Sequence, residues 1–231
     1  MLIKGLVKTT LIDYPGKVAC IVFIAGCNFR CPYCQNPDLV AGYWELPTIS
    51  EEEVFRHLKS RKKWLDGVCV SGGEPTLNKE LPEFLRKIKS MGFLIKLDTN
   101  GTNPEMLKKL LDEKLVDYIA MDIKAPLEKY EEVVKTKVDL EKIKRSVEMI
   151  RSNDVDYEFR TTVVPGLLSS EDIEKICLWL RGSKRYYLQQ FRPDVTLDAS
   201  FRKVVPYRRE EMLKCYNIAK ENFKVCEVRG I

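Results

Sequence analysis

The chain has 231 residues, 45% of them hydrophobic and 10% aromatic, enough to bury a core and too apolar for a disordered or fibrous chain. Lysine and arginine number 39 against 34 acidic residues, a net charge of +5 that falls well short of the basic bias of a nucleic-acid binder. No run of eighteen apolar residues occurs, which argues against a membrane-spanning helix. Eight cysteines and a single histidine remain to be explained.

Residues 5–25 read as a hairpin turning at Asp13-Tyr14-Pro15-Gly16, with an apolar second arm. Ile24-Ala25-Gly26-Cys27 has the look of a lipoprotein cleavage site. The preceding segment carries Asp13, Pro15 and Gly16 and lacks a short basic leader, so the stretch reads as a buried strand instead. Without export the thiols sit in a reducing cytoplasm, where they mean metal, redox chemistry or burial rather than a disulfide framework.

Beyond Cys34 strands and helices alternate. A helix starts at Ser50 with Glu53 three residues on, in a capping-box pattern. A strand follows at 67–71. The next helix carries Leu81, Phe84, Leu85, Ile88 and Met91 on one face and stops at Gly92. Phe93 to Leu97 is strand-like, and Asn103-Pro104 opens a helix with Leu107, Leu110 and Leu111 inward. Then come a strand at 117–121, a helix marked by Leu140, Ile143, Val147 and Ile150, and a strand at 156–164. A helix from Ser169 or Ser170, a strand from Tyr186 to Phe191, a helix from about 208 to 223 and a β-like tail at 224–228 complete the pattern.

About six strand–helix units imply an α/β fold with a mostly parallel sheet and right-handed crossovers, either doubly wound or an incomplete barrel. Function is expected at the carboxyl ends of the strands. No linker or repeat divides the chain, so a single domain is expected. Its parts would be an N-terminal hairpin and first strand (1–26), a central barrel part (27–200), and a C-terminal helix and tail (201–231).

The strongest chemical signal is Cys27-Asn28-Phe29-Arg30-Cys31-Pro32-Tyr33-Cys34, three thiols within eight residues after an apolar strand. A structural zinc site wants four ligands, and no fourth cysteine or histidine lies at a familiar offset, His57 falling within a helix. Three thiolates on a cubane iron–sulfur cluster would leave one iron open to another ligand.

Polar groups also end successive strands. They are Ser71-Gly72-Gly73-Glu74-Pro75, then Leu97-Asp98-Thr99-Asn100-Gly101, then Asp122-Ile123-Lys124, then Arg160 on an otherwise apolar strand. Each alone reads as a turn, a cap or a surface ion pair. Four in succession point to one ligand region, and a buried arginine there needs an anionic partner. Arg56 to Lys63 is a basic run that reads as a solvated helix face.

The cysteine pattern, with an aromatic before its last member, resembles the signature of the radical S-adenosylmethionine (radical SAM) superfamily. That resemblance implies an incomplete parallel β/α barrel, one [4Fe–4S] cluster on Cys27, Cys31 and Cys34, and SAM on the open iron. Reductive cleavage of SAM would give a 5′-deoxyadenosyl radical that abstracts a substrate hydrogen. Tyr33 matches the aromatic near the adenine. Gly72, Gly73, Glu74 and Pro75 match the motif that receives the methionine amino group.

Asp98, Thr99 and Asn100, with Asp122 and Lys124, are similar to elements of glycyl-radical-enzyme activases that contact the ribose and carboxylate. Asp98, Thr99 and Asp122 there imply a monovalent cation. Arg160 matches a SAM-contacting arginine, and Asn36 an asparagine after the cysteines. Gln35 stands where several activases have histidine, and Gln190 where some carry one near the adenine. The segment Thr9–Gly16 and the block Gln189-Gln190-Phe191-Arg192-Pro193 resemble anaerobic ribonucleoside-triphosphate reductase activating proteins. The implied partners are that glycyl-radical enzyme and a low-potential electron donor. The other five cysteines, Cys20, Cys69, Cys177, Cys215 and Cys226, form no CxxC pair and are expected mostly as buried thiols.

Overall fold

The computed structural model describes residues 1–231. Its strands are β1 (Ile3–Thr10), β2 (Ala19–Ile24), β3 (Gly67–Gly72), β4 (Leu94–Thr99), β5 (Tyr118–Asp122), β6 (Asp156–Val163), β7 (Arg185–Gln190) and β8 (Val225–Arg229). They are hydrogen-bonded in chain order, and β1 and β8 each have one neighbour, so the sheet stays open. β1 and β2 pair antiparallel. The ladders β2/β3, β3/β4, β6/β7 and β7/β8 are parallel. The expected α/β class, parallel sheet and N-terminal hairpin are therefore present.

The helices are α1 (Pro37–Val40), α2 (Glu51–Ser60), α3 (Leu81–Ser90), α4 (Pro104–Asp112), α5 (Tyr130–Val134), α6 (Leu140–Ser152), α7 (Ser170–Leu180) and α8 (Arg209–Ala219). No helix is long and apolar enough to cross a membrane. The chain forms two compact units. One comprises Met1–Asn28, Asp38–Ala120 and Lys142–Asp156; the other comprises Phe29–Pro37, Met121–Glu141 and Tyr157–Ile231.

In the first unit, Val68 and Val70 of β3 and Ile95 and Leu97 of β4 are fully buried. Helix starts are set by local chemistry. The Ser50 hydroxyl accepts from Glu53 N at 3.1 Å, and the Asn103 side chain accepts from Met106 N at 3.1 Å, with Pro104 in the first turn. Leu81, Phe84, Leu85 and Ile88 put a continuous apolar face of α3 into the core.

In the second unit β6 alternates with period two: Tyr157, Phe159, Thr161 and Val163 form one row, Glu158, Arg160 and Thr162 the other. α7 is opened by a reciprocal capping box between Ser169 and Asp172. Three elements depart from the sequence reading, the first being the four-residue α1, which it did not anticipate. The short α5 was not anticipated; it is a five-residue helix ended by Lys135 at φ 55°. α8 ends at Ala219, and the chain tightens into a 3₁₀ turn over Lys220–Asn222 rather than continuing to 223. Cys20, Cys69, Cys177 and Cys215 are buried as expected, while Cys226 is half-buried.

Candidate active site

In the first unit the chain leaving β2 meets the turn leaving β3. Gly72 has φ 127°, and a Cβ there would lie 2.2 Å from Ile24 O; one at Gly73 would lie 2.1 Å from Gly26 O. Only glycine permits this approach. It lets Gly73 N donate to Ile24 O at 2.8 Å and Glu74 N to Gly26 O at 2.7 Å. The Gly72-Gly73 turn is thereby stitched to the backbone that leads into Cys27.

The Glu74 side chain is 0% exposed. One carboxylate oxygen accepts from Thr76 N at 3.0 Å, from the Thr76 hydroxyl, and from the Thr99 hydroxyl at 2.8 Å; the other accepts from Asn100 N. Burial without a cation raises its pKa, although these four donors oppose the shift. Glu74 therefore holds the loops after β3 and β4 together. Asn100, buried beside it, donates to Asn28 Oδ1 at 3.0 Å and to Cys27 Sγ at 3.9 Å. Asp98 accepts from the Ser71 hydroxyl at 3.0 Å and pairs with Lys96.

In the second unit the loop Phe29–Pro37 is fixed by backbone bonds. Arg30 N donates to Val134 O at 2.9 Å, Asp198 N to Pro32 O at 2.9 Å, and Cys34 N to Cys31 O at 3.0 Å. The unanticipated α5 is what anchors it: Val134 accepts from Arg30, and the Tyr130 ring meets Phe29 edge-on at 6.2 Å. Asn36 is half-buried and immediately precedes α1.

Asp122, at the end of β5, accepts from Arg160 Nε at 2.8 Å and from Lys124 Nζ at 3.0 Å. Burial would raise its pKa, but the two cations hold it well below the usual carboxylate range. Lys124 is held well above its ordinary value despite burial, chiefly by Asp122. On β6, two residues before Arg160 and on the same face, Glu158 lies 3.9 Å from Arg160 Nη1. Arg229 of β8 donates to both Glu158 oxygens at 2.9 Å, and its guanidinium sits 3.5 Å over the Tyr187 ring.

Lys96, Glu158 and Arg229 escaped the sequence reading. Lys96 and Glu158 each interrupt an apolar strand, a signal that was available. Arg229 carries none, because only the fold puts it beside Glu158.

All eight cysteines are free thiols; Cys31 is buried and Cys27 and Cys34 are half-buried. No three His, Cys, Asp or Glu side chains are grouped closely enough to hold a bare metal ion. The carboxylates expected near a monovalent cation already carry protein cations, Asp98 through Lys96 and Asp122 through Lys124 and Arg160.

The residues nonetheless fit the implied cofactors by their chemistry. Three unlinked thiols in one short loop are the donor set of a cluster with an open iron. Tyr33, in that loop and 4% exposed, has a buried hydroxyl with no hydrogen-bond partner. An unmatched buried hydroxyl is costly, and a polar ligand would satisfy it. Burial holds the ionisation of Tyr33 well above the ordinary phenol range.

The sequence matches the Radical SAM superfamily over residues 21–180. It is 37% identical over 235 residues to a Methanocaldococcus jannaschii protein provisionally named a glycyl-radical enzyme activating enzyme, covering 100% of this chain and 96% of that one. It is 37% identical over 127 residues to the pyruvate formate-lyase-activating enzyme of Listeria monocytogenes, covering 49% of each. Among solved structures, SuiB of Streptococcus suis superposes with a TM-score of 0.67 at 15% identity, over 91% of this chain and 48% of that one, a likeness of fold alone.

An open parallel sheet preceded by a hairpin, with three thiols after its second strand, is the architecture of a cluster-bearing SAM enzyme. The chain belongs to the radical SAM superfamily, whose enzymes use a [4Fe–4S] cluster and SAM.

Proposed function

We propose that this enzyme is a glycyl-radical-enzyme activase, and that its partner is an anaerobic ribonucleoside-triphosphate reductase. The observation that carries the activase reading is the similarity, over the whole chain, to a relative named for that activity. The opening segment Thr9–Gly16 and the block Gln189–Pro193 favour the reductase as partner.

Cys27, Cys31 and Cys34 hold the cluster in this reading. A cluster held there would supply the electron, drawn from a low-potential donor, for reductive cleavage of SAM, and the chemistry so supplied would be abstraction of a hydrogen atom from a glycine Cα of the partner. The chain's own residues bind and orient. Gly72 and Gly73, with Pro75, offer backbone to the methionine amino group, and Glu74 braces that turn from within. Lys124 and Arg160, steadied by Asp122, supply positive charge to the carboxylate. Asp98, Thr99 and Asn100 would serve the ribose, and Tyr33 and Asn36 the adenine. The free thiols suit a reducing, anoxic cytoplasm.

The test is anoxic reconstitution with iron and sulfide, then SAM, reductant and purified anaerobic reductase. A glycyl radical in the electron paramagnetic resonance spectrum is expected, lost with Cys31→Ala. SAM cleavage that needs only a small molecule and never yields a protein radical would overturn the activase reading.

A further inference from the structure

We propose that Arg229 and Glu158 form a positioning pair that keeps Arg160 committed to Asp122 and thus set for SAM. The inference rests on the reading of Arg160 as a SAM-contacting residue. The observations behind it lie within one unit of the fold.

Glu158 is buried on β6, its side chain 1% exposed. A carboxylate so placed requires a cation. Two guanidinium groups lie within 4 Å of it. Arg229 engages both oxygens at 2.9 Å, the bidentate geometry that suits a guanidinium. Arg160 stands off at 3.9 Å and gives its Nε to Asp122 at 2.8 Å instead.

The sheet fixes this division of labour. Arg160 is in register with Tyr187 on β7, and Gln189 with Arg229 on β8, so Arg229 reaches Glu158 from two strands away, its guanidinium 3.5 Å over the Tyr187 ring. Stacking and the fork with Glu158 together define its guanidinium plane. Glu158 and Arg160 are two residues apart on one strand and share a face. If Arg229 is removed, Arg160 still stands within 4 Å of Glu158. The buried carboxylate then draws Arg160 off Asp122.

The experiment measures equilibrium binding of methyl-labelled SAM to anoxically reconstituted protein, with no reductant and no partner, so that turnover plays no part. Arg229→Ala is expected to weaken SAM binding about tenfold. The double variant Glu158→Gln/Arg229→Ala is expected to bind within about threefold of the unaltered protein, because it removes the charge that captures Arg160. A purely structural role for Arg229 gives no such rescue.

The inference is overturned if Arg229→Ala binds normally, or if the double variant binds as weakly as Arg229→Ala. Arg160→Ala separates the two levels. If it weakens binding while Arg229→Ala does not, the positioning pair fails alone. If it binds normally, the SAM-contact reading fails and the inference with it. Should Arg229→Ala not fold, Arg229→Lys keeps the charge but loses the fork and the stacking. A two- to fivefold loss is then expected, and unchanged affinity overturns the proposal.

Discussion

Lys96 buries its ammonium against the carboxylate of Asp98, two positions further along β4 and on the same face. The Lys96 side chain is 2% exposed, and its Nζ also lies 3.8 Å from Cys69 Sγ. Asp98 keeps a second tie to the Ser71 hydroxyl on β3. A charge in that position is tolerated because it is paired, and removing one member of a buried pair is far more costly than removing both.

Lys96→Met should therefore destabilise the protein by about 3 kcal/mol, because Asp98 loses the ammonium paired with it. Lys96→Met with Asp98→Asn should recover most of that loss. Chemical denaturation of the cluster-free protein measures both. Equal stability of Lys96→Met and the unaltered protein would mean that the pair contributes nothing.

The fold was largely legible because its elements carry strong local signals. The apolar faces of α3, α4 and α6 repeat with helical period, and Ser50, Asn103 and Ser169 mark starts that the structure confirms as caps. α5 was missed because five residues are too few for periodicity to register. The identity of the polar clusters at the strand ends was readable too, but their direction was not.

The motif places Glu74 directly after a glycine turn but does not give the direction of its side chain. Whether a carboxylate after a glycine turn points outward or inward depends on donors supplied by residues 76, 99 and 100, and only folding brings those together. The two glycines show the reverse case: their need for close backbone approach follows from residue type, and Ile24 O and Gly26 O are what they approach.

The burial of Glu74 has a pH signature. Its folded-state pKa is raised, so between the ordinary carboxyl value of about 4.5 and that raised value the folded protein binds the proton better than the unfolded chain. Glu74's contribution is thus fully present below that window and is lost as pH rises through it. Glu74→Gln cannot titrate and lacks this dependence. The difference in melting temperature between the unaltered protein and Glu74→Gln should shrink as pH rises from about 4.5 toward neutrality. A gap that widens over that range would show that the four donors outweigh burial and that the carboxylate is stabilised as the anion.

Tyr33 separates stability from ligand binding most sharply. Its hydroxyl is buried in the cysteine loop and lacks a hydrogen-bond partner, and burial holds its pKa well above the ordinary phenol value, so it stays protonated near neutrality. An unmatched buried hydroxyl costs free energy, about 1–3 kcal/mol by analogy with other buried polar groups. Tyr33→Phe removes it and keeps the ring. The cluster-free variant should be as stable as the unaltered protein or up to about 1 kcal/mol more so. If a ligand supplies the missing partner, the reconstituted variant should bind SAM about three- to tenfold more weakly, since a hydrogen bond made on binding is then lost. The two measurements move in opposite directions only if the hydroxyl is kept for a ligand. A variant that loses stability without the cluster would place the Tyr33 hydroxyl in the protein's own hydrogen-bond network instead.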